Sequence, residues 1–198
     1  MDDEVLKLGT RAGLPEELLF LARQHPRGNW RGQPGLAGTG EFWLANHDYF
    51  RGMIQRIAGE LSALRDSGET GLDSSPALQR HINGLLGGLD GHHRVEDHHY
   101  FPAFQRAEPR LLRGFEILDA DHHLIHDSID ELAATTRDSL QRLGQAEGVM
   151  SSDQRFAVDA LADVVNRFAP LLRQHLADEE DLVIPLILER ARQDPEFS

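Results

Sequence analysis

Cysteine is absent from this chain of 198 residues. Its absence excludes disulfide bonds, thiolate zinc sites, iron–sulfur clusters and cysteine nucleophiles from the chemistry of the protein. It is also compatible with a reducing compartment, so we expect a cytoplasmic protein. A metal site in this chain would have no thiolate ligands and would depend on nitrogen and oxygen atoms.

Positive charge is scarce too, because 20 lysine and arginine residues stand against 33 aspartate and glutamate residues, for a formal net charge of −13. Nucleic acids and anionic membranes attract clustered positive charge, so we expect neither as a partner. Long apolar runs are missing, since the uncharged run Leu182–Leu188 is far too short to cross a bilayer. The acidic stretch Met1–Glu4 has no basic region and no apolar core, so we expect no signal peptide.

Strand signals are few, whereas apolar residues recur every three or four positions from Glu41 onward. We therefore predict an all-α, up-down-up-down four-helix bundle, in which the starts of helices one and three share one end with the ends of helices two and four. The predicted helices run from Glu41 to a loop at Asp66–Pro76, from Ala77 to about Gln105, from Pro109 to about Leu143, and, after a loop at Gly144–Ser152, from a capping box at Ser151 and Gln154 to about Arg192.

Residues 1–40 differ in composition from the rest and are predicted to form an N-terminal extension of the bundle domain at 41–198. We expect a short helix over Leu14–Gln24, followed by a loop over His25–Gly40. The extension is expected to pack on the outside of the bundle. There it would cover the end of the bundle, line a ligand channel or make a dimer contact, and the oligomeric state stays open.

The second predicted helix carries four glycines at helical spacing, which are Gly84, Gly87, Gly88 and Gly91. Each costs a helix about 1 kcal/mol relative to alanine. We interpret these glycines as a face on which another backbone packs closely, just before a cluster of histidines. The alternative is a locally weak helix.

Eleven histidines carry most of the functional information in this chain. The second helix contains His92-x-x-x-Glu96 and the fourth contains His175-x-x-x-Glu179, each followed by an acidic residue. In both copies a proline stands six residues after the glutamate. Because residues i and i+4 lie on one face of a helix, each histidine and its glutamate can bind the same metal ion or two adjacent ions.

The first and third helices add histidines within apolar stripes, at His47 and at the i, i+4 pair His122 and His126. A polar group buried without a partner costs about 1–3 kcal/mol, and these imidazoles and the two glutamates can satisfy one another through a metal. Seven ligands are too many for one tetrahedral zinc and suit two octahedral ions. Nitrogen and oxygen donors favour iron, with manganese or zinc as substitutes.

Over about residues 41–190, this order of motifs resembles the hemerythrin-like family, also called the HHE cation-binding domain. The resemblance implies a non-haem diiron centre in a four-helix bundle, with two iron ions bridged by an oxo or hydroxo group. It also implies that the iron with fewer histidines keeps an open position for dioxygen, peroxide or nitric oxide. The implied ligands are His122, His126 and His175 for one iron, His47 and His92 for the other, and Glu96 and Glu179 as bridges.

The residues beside the predicted ligands leave alternatives open. In the second helix, His93 with Asp97 is the rival of His92 with Glu96, and we prefer the latter because its proline offset equals that of the fourth helix. A set of acidic residues stands next to the ligands and either orients the imidazoles or lies in solvent. This set consists of Asp97, Asp121, Asp178 and Glu180.

Three functions are compatible with this pattern. The first is reversible binding or sensing of a small oxidant, most naturally O₂, with NO or peroxide as alternatives. The second is a diiron oxidoreductase that removes peroxide or NO. A Tyr100 hydroxyl facing the metals would favour it, whereas plain packing of that ring would not. The third is an iron-responsive regulatory or iron-handling protein whose fold is stabilised by metal. Whether the protein is an enzyme stays undecided.

Overall fold

The computed structural model describes residues 3–70, 74–144 and 148–193 of the protein, and nearly all of these residues are helical. Every helix in these ranges is too short or too polar to cross a membrane. The helices and strands are α1 Phe20–Gln24, α2 Thr39–Ser67, β1 Glu69–Thr70, α3 Ser74–Val95, α4 Phe101–Ala107, α5 Leu112–Leu143, β2 Gly148–Val149 and α6 Ser152–Gln193.

The chain forms two compact units, and segments of the same four long helices contribute to each. The first unit comprises Met1–Tyr49, His93–Leu124 and Leu171–Ser198. The second comprises Phe50–His92 and Ile125–Pro170. The division predicted from composition, at residue 40, stays a prediction.

One core cluster in the first unit joins the helix ends that were expected to share one end of the bundle. It contains Trp43 from the start of α2, Phe104 from α4, which continues the line of α3, Phe115 from the start of α5 and Leu182 near the end of α6. Apolar side chains from all four helices are therefore buried against one another. This arrangement confirms the all-α, up-down-up-down bundle.

The N-terminal segment, residues 3–38, packs on α6 within the same unit. Leucines and a tryptophan of this segment belong to the core cluster that includes the apolar residues of Leu182–Leu188. All seven residues of that stretch are buried, so α6 is covered on every side there. A helix that is apolar all round needs such cover. The buried residues that the segment contributes are Leu14, Leu18, Leu21, Trp30 and Leu36.

The N-terminal segment differs from the prediction in two places, with a shorter helix than predicted in the first and helical turns within the predicted loop in the second. In place of a helix over Leu14–Gln24, α1 spans only Phe20–Gln24 and is preceded by turns. The predicted loop over His25–Gly40 contains helical turns at Arg27–Asn29 and Pro34–Leu36. Segments this short do not form stable helices alone, so packing of the buried leucines decides the local conformation.

The second unit contains the connections between α2 and α3 and between α5 and α6. The predicted capping box is confirmed, because the Ser151 amide donates to Gln154 Oε1 at 2.9 Å and the Gln154 amide donates to Ser151 Oγ at 3.2 Å. The two predicted loops each contain a short strand, β1 and β2, which pair antiparallel with Glu69 opposite Val149. Within these loops, residues 71–73 and 145–147 lie outside the described part of the chain.

Two of the four glycines of α3, Gly87 and Gly91, do not mark a close approach of another backbone. A Cβ added at Gly87 or Gly91 would meet nothing within 4 Å among the described residues, so the close-packing interpretation is wrong for these two positions. The buried stripe of α3 lies on other residues, and Gly87 and Gly91 are exposed to solvent. A tight approach occurs instead at Gly35, where an added Cβ would lie 2.7 Å from Ala191 Cβ of α6.

Replacing Gly35 with alanine is expected to destabilise the protein by about 1–3 kcal/mol, because the new methyl would collide with Ala191, whose Cβ moves only with its backbone. The matched variant Gly87→Ala, in an exposed part of α3, is expected to stabilise the protein by about 0.5–1 kcal/mol. Denaturant unfolding of both variants and the parent measures the two effects. A Gly35→Ala protein as stable as the parent would show that the N-terminal segment is not tightly packed on α6.

Candidate metal centre

The buried face of α3 continues into two residues that can bind a metal. Four buried residues recur at intervals of four, three and four, and continuing by four and then three reaches His93 and Glu96, which are 0% and 1% exposed. At Glu96–Tyr100 the helix widens into a π-helical turn, a feature often found at functional sites. The His93 ring stacks on the His122 ring, and Glu96 and Asp97 lie 3.6 Å and 2.7 Å from the two His122 nitrogens. The four stripe residues are Leu78, Ile82, Leu85 and Leu89.

Three imidazoles form a first candidate ligand group, the trihistidine group of His93, His122 and His175. One ring nitrogen of each lies within 4.8 Å of the others. All three side chains are buried, and the ring of His93 stacks on that of His122 with 4.0 Å between centroids. The Nε2 atom of His122 is buried and makes no hydrogen bond to the described residues. Nitrogen lone pairs are therefore gathered in a space that a cation can fill.

A second candidate group, the mixed group, contains His47, His92, Glu96 and Glu179, with one ligand atom of each within 4.8 Å of the others. His47 and Glu179 are fully buried, and Glu96 is 1% exposed. His92 is half-buried and directly precedes His93 in α3. These are the two such groups among the described residues.

The two carboxylates face both groups. Glu179 Oε1 lies 3.4 Å from His47 Nε2, and Glu179 Oε2 lies 3.2 Å from His175 Nε2. Glu96 is a member of the mixed group, and its Oε2 lies 3.6 Å from His122 Nε2 of the trihistidine group. Each of the two carboxylates therefore lies close to imidazole nitrogens of both groups.

The structure gathers six of the seven predicted ligands and brings His93 to the centre where the sequence had indicated His126. The buried stripe of α5 runs through Leu118, His122, Ile125 and Ile129, so His126 lies one position past it. The His126 side chain is 36% exposed, and its Nδ1 lies 4.0 Å from Asp90 Oδ1.

In α3 the register of the buried stripe is the feature of the sequence that identifies His93. Counting by four from Leu89 reaches His93, whereas the repeat comparison with the fourth helix had favoured His92. Both histidines belong to a candidate group, and Asp97, the predicted rival partner of His93, instead accepts a hydrogen bond from His122.

Three imidazoles are oriented by carboxylates outside the two groups. The Nδ1–H of His122 donates to Asp97 at 2.7 Å, that of His47 to Glu180 at 3.0 Å, and that of His175 to Asp121 at 3.3 Å. Since a carboxylate only accepts, Nδ1 keeps the proton in the neutral form of each ring, and in that form the Nε2 lone pair is available for a cation. The fourth acidic neighbour, Asp178, accepts hydrogen bonds from Arg11 and Gln174. The orienting interpretation therefore holds for Asp97, Asp121 and Glu180.

The protonation states of His47, His175 and Glu179 follow from their contacts with one another and with the outer carboxylates. Burial alone would lower the pKa of His47 and of His175, but the facing carboxylates outweigh burial and raise both. The pKa of His175, between Asp121 and Glu179, is raised to about 9. Burial alone would raise the pKa of Glu179, but His47 and His175 hold it well below its ordinary value. The His175 imidazole is therefore protonated against Glu179 at neutral pH when no metal is bound.

The pKa values of Glu96 and His122 shift in the opposite directions to those of Glu179 and His175. Burial, reinforced by the neighbouring Glu179 charge, raises the pKa of Glu96 well above its ordinary value. Burial lowers the pKa of His122, although Asp97 opposes it. Without metal, both groups are therefore stabilised in their neutral forms. Positive charge brought between Glu96 and Glu179 would offset the Glu179 charge that helps to raise the pKa of Glu96.

The donor set fits metal cations. Neutral imidazole and carboxylate donors without thiolate suit borderline and hard first-row ions, and each oriented imidazole has a carboxylate on its outer nitrogen. Buried charges and polar atoms are stable only when they are paired or coordinate a metal. The structure therefore defines a class: a helical bundle with a buried histidine and carboxylate cation site.

The family model of the hemerythrin HHE cation binding domain matches residues 39–187. This match covers most of the chain, so the protein belongs to the hemerythrin HHE family, and the resemblance predicted from the motifs is confirmed. No curated protein and no solved structure matches the chain. Membership of this family and the donor set together make the protein a cation-binding helical bundle.

The exchange of His126 for His93 is tested by a pair of glutamine variants. His93→Gln is expected to lower the metal content per chain, because His93 is buried in the trihistidine group. His126→Gln, at a partly exposed position, is expected to keep the parent's metal content. Mass spectrometric metal analysis of both purified proteins gives the answer, and loss of metal from His126→Gln alone would restore the ligand set that the sequence indicated.

Metal uptake is expected to release protons, since the raised pKa of His175, about 9, keeps this imidazole protonated in the metal-free chain at pH 7. Affinity for Zn²⁺ should therefore rise between pH 6.5 and about 9, by about tenfold per pH unit for each proton displaced. Competition titrations across this range measure the slope, and calorimetry in buffers of different ionisation enthalpy counts the protons. A flat affinity profile would contradict the raised pKa of His175.

Proposed function

We propose that this protein is a non-haem diiron protein that binds a small oxidant, O₂ first and NO or peroxide as alternatives. The observation that carries the proposal is the placement of Glu96 and Glu179, each of which faces both ligand groups from a buried position. One ion would be held by His93, His122 and His175. The other would be held by His47 and His92, with Glu96 and Glu179 shared between the two.

The donor count supports an open coordination position at one ion. Three imidazoles and two carboxylate oxygens offer five donors to the first ion, whereas two imidazoles and two carboxylate oxygens offer four to the second. Iron with such ligands favours six-coordination, so the ion at His47 and His92 has more room for an external ligand. Two ferrous ions bound here would supply the two electrons that reversible dioxygen binding requires. Manganese or zinc are candidate substitutes for iron.

Burial of the ligands supports a small molecule over a bulky substrate. The described side chains of the trihistidine group and those of His47, Glu96 and Glu179 are at most 2% exposed. A diatomic ligand or peroxide can enter such a site through side-chain fluctuations, whereas a large substrate needs an open cleft. The protein side of the chemistry is to hold imidazoles in one tautomer through Asp97, Asp121 and Glu180 and to keep water out.

The enzymatic alternative receives no support from Tyr100. Its ring packs edge-on against Trp43 with 5.0 Å between centroids and stacks near Phe104 at 5.8 Å. These contacts agree with the packing interpretation of this tyrosine. Removal of peroxide or NO, and an iron-responsive role, remain the alternatives that the following experiment separates from reversible binding.

The test is metal analysis and visible spectroscopy of the full-length chain loaded anaerobically with Fe²⁺. We expect two irons per chain and an absorption band that appears with O₂ and disappears when O₂ is withdrawn. Rapid consumption of peroxide or NO with repeated turnover would replace binding by an enzymatic function. A chain that takes up iron without any response to O₂, NO or peroxide would support iron handling instead.

Removing a bridging charge should affect both iron content and stability. Glu179→Gln is expected to hold fewer than two irons, because a neutral amide replaces the carboxylate shared by the two groups. Its unfolding free energy in iron should fall by about 3 kcal/mol relative to the loaded parent, the stabilisation given by a ligand at 100 times its dissociation constant. Glu108→Gln is the matched control, since Glu108 is a buried glutamate paired with Arg110 and Arg190 outside the centre. Unchanged iron content in Glu179→Gln would contradict the diiron proposal.

A further inference from the structure

Two arginines of the N-terminal segment reach the carboxylates that orient the metal-centre imidazoles. Arg11 contacts Asp121, whose other partner is His175. Arg27 contacts Glu180, whose other partner is His47. The two chains of contact end in different ligand groups, because His175 belongs to the trihistidine group and His47 to the mixed group.

The contacts of Arg11 hold the Asp121 carboxylate in one orientation. Its Nη1 donates to Asp121 Oδ1 at 2.8 Å, its Nη2 donates to Asp121 Oδ2, and its Nε donates to Asp178 Oδ2 at 2.8 Å. The side chains of Arg11 and Asp121 are only 2% and 3% exposed. A planar guanidinium that engages both oxygens of a carboxylate fixes the plane of that carboxylate, which a lysine ammonium cannot do. Rotation of Asp121 away from His175 would break this pair.

Arg27 has three contacts besides the one with Glu180, and these fix its position. Its guanidinium lies over the Trp30 ring, 4.7 Å from the centroid. It also donates to the Ala177 carbonyl at 2.9 Å and to Asp181 Oδ1 at 2.8 Å. Glu180 then has one oxygen on Arg27 and the other 3.0 Å from His47 Nδ1. This divides the two oxygens of Glu180 between the N-terminal segment and the centre.

We propose that Arg11 and Arg27 are positioning residues of the metal centre, each orienting one imidazole through one carboxylate. The N-terminal segment would then contribute to metal binding as well as to packing. The inference rests on the proposed function. It assigns Arg11 to the ion of the trihistidine group and Arg27 to the ion of the mixed group. A segment that only covers α6 would need its buried leucines and Trp30 but no such contacts to the ligand-orienting carboxylates.

The test uses the full-length chain titrated with Co²⁺, whose visible spectrum reports on its ligands. Arg11→Gln is expected to raise the dissociation constant of one of two Co²⁺ ions by about tenfold, the lower end of the usual loss when a partner of a metal-bound imidazole is removed. Arg27→Gln should weaken the other ion by a similar factor. In proton NMR of the Co²⁺ form, each variant should shift one exchangeable imidazole Nδ1–H signal, that of His175 for Arg11→Gln and that of His47 for Arg27→Gln.

A matched control comes from the same segment. Arg31 forms an exposed ion pair with Asp48, and Arg31→Gln is expected to leave both Co²⁺ constants and both signals unchanged. Arg11→Lys keeps the buried charge but not the two-pronged contact, so it should fold and still shift the His175 signal. Arg27 is 46% exposed, so Arg27→Gln is expected to fold in any case.

The outcomes separate this inference from the proposed function. A parent chain that binds two Co²⁺ ions, with constants and Nδ1–H signals unchanged in both arginine variants, overturns the inference alone, even if the variants unfold at lower temperature. Equal weakening of both ions by each variant overturns it too, because each arginine is assigned to one ion. A parent chain that binds no Co²⁺ overturns the proposed function itself and this inference with it.

Discussion

The structure depends on one constraint: carboxylates and imidazoles are buried together in an apolar core and must neutralise one another. Glu179 is fully buried with His47 and His175 on either side, and Glu96 is buried close to His122. In the metal-free chain, protons on the imidazoles take the role of the counter-charge, and a metal cation takes it when bound. The stability of this half of the bundle is thereby coupled to what occupies its centre.

Charges alternate in layers outward from the centre. The inner carboxylates face imidazoles, the imidazoles donate outward to a second set of carboxylates, and two of those carboxylates meet arginines. Each layer places opposite charge or a hydrogen-bond partner against the one inside it, so ions that would be costly alone are retained at low exposure. The N-terminal segment closes this series with Arg11 and Arg27. The same segment supplies the apolar residues that cover α6, so packing and electrostatics place it together.

A large part of the fold and of the centre could be predicted without coordinates. Apolar residues at three- and four-residue spacing indicated four long helices, and the capping box at Ser151 and Gln154 marked where the last one begins. The repeated His-x-x-x-Glu motif led to Glu96 and Glu179. These features are local, because helix periodicity and capping depend on residues within a few positions of one another. Family membership rests on the same order of motifs, and it was apparent before any contact was known.

The amino-acid sequence by itself determined the helical class, the order of the histidine motifs and the chemistry of the donor set. Only the tertiary structure decided that His93 reaches the trihistidine group and that the predicted ligand His126 lies outside both groups. A shift of one residue turns a helical side chain by about a third of a turn, and the π-helical turn after Val95 changes that rotation further. The roles of Arg11 and Arg27 could not be predicted from the sequence either, since their partners lie more than a hundred residues away along the chain. Long-range contacts of buried charge are made by packing, which leaves no periodic trace along the chain.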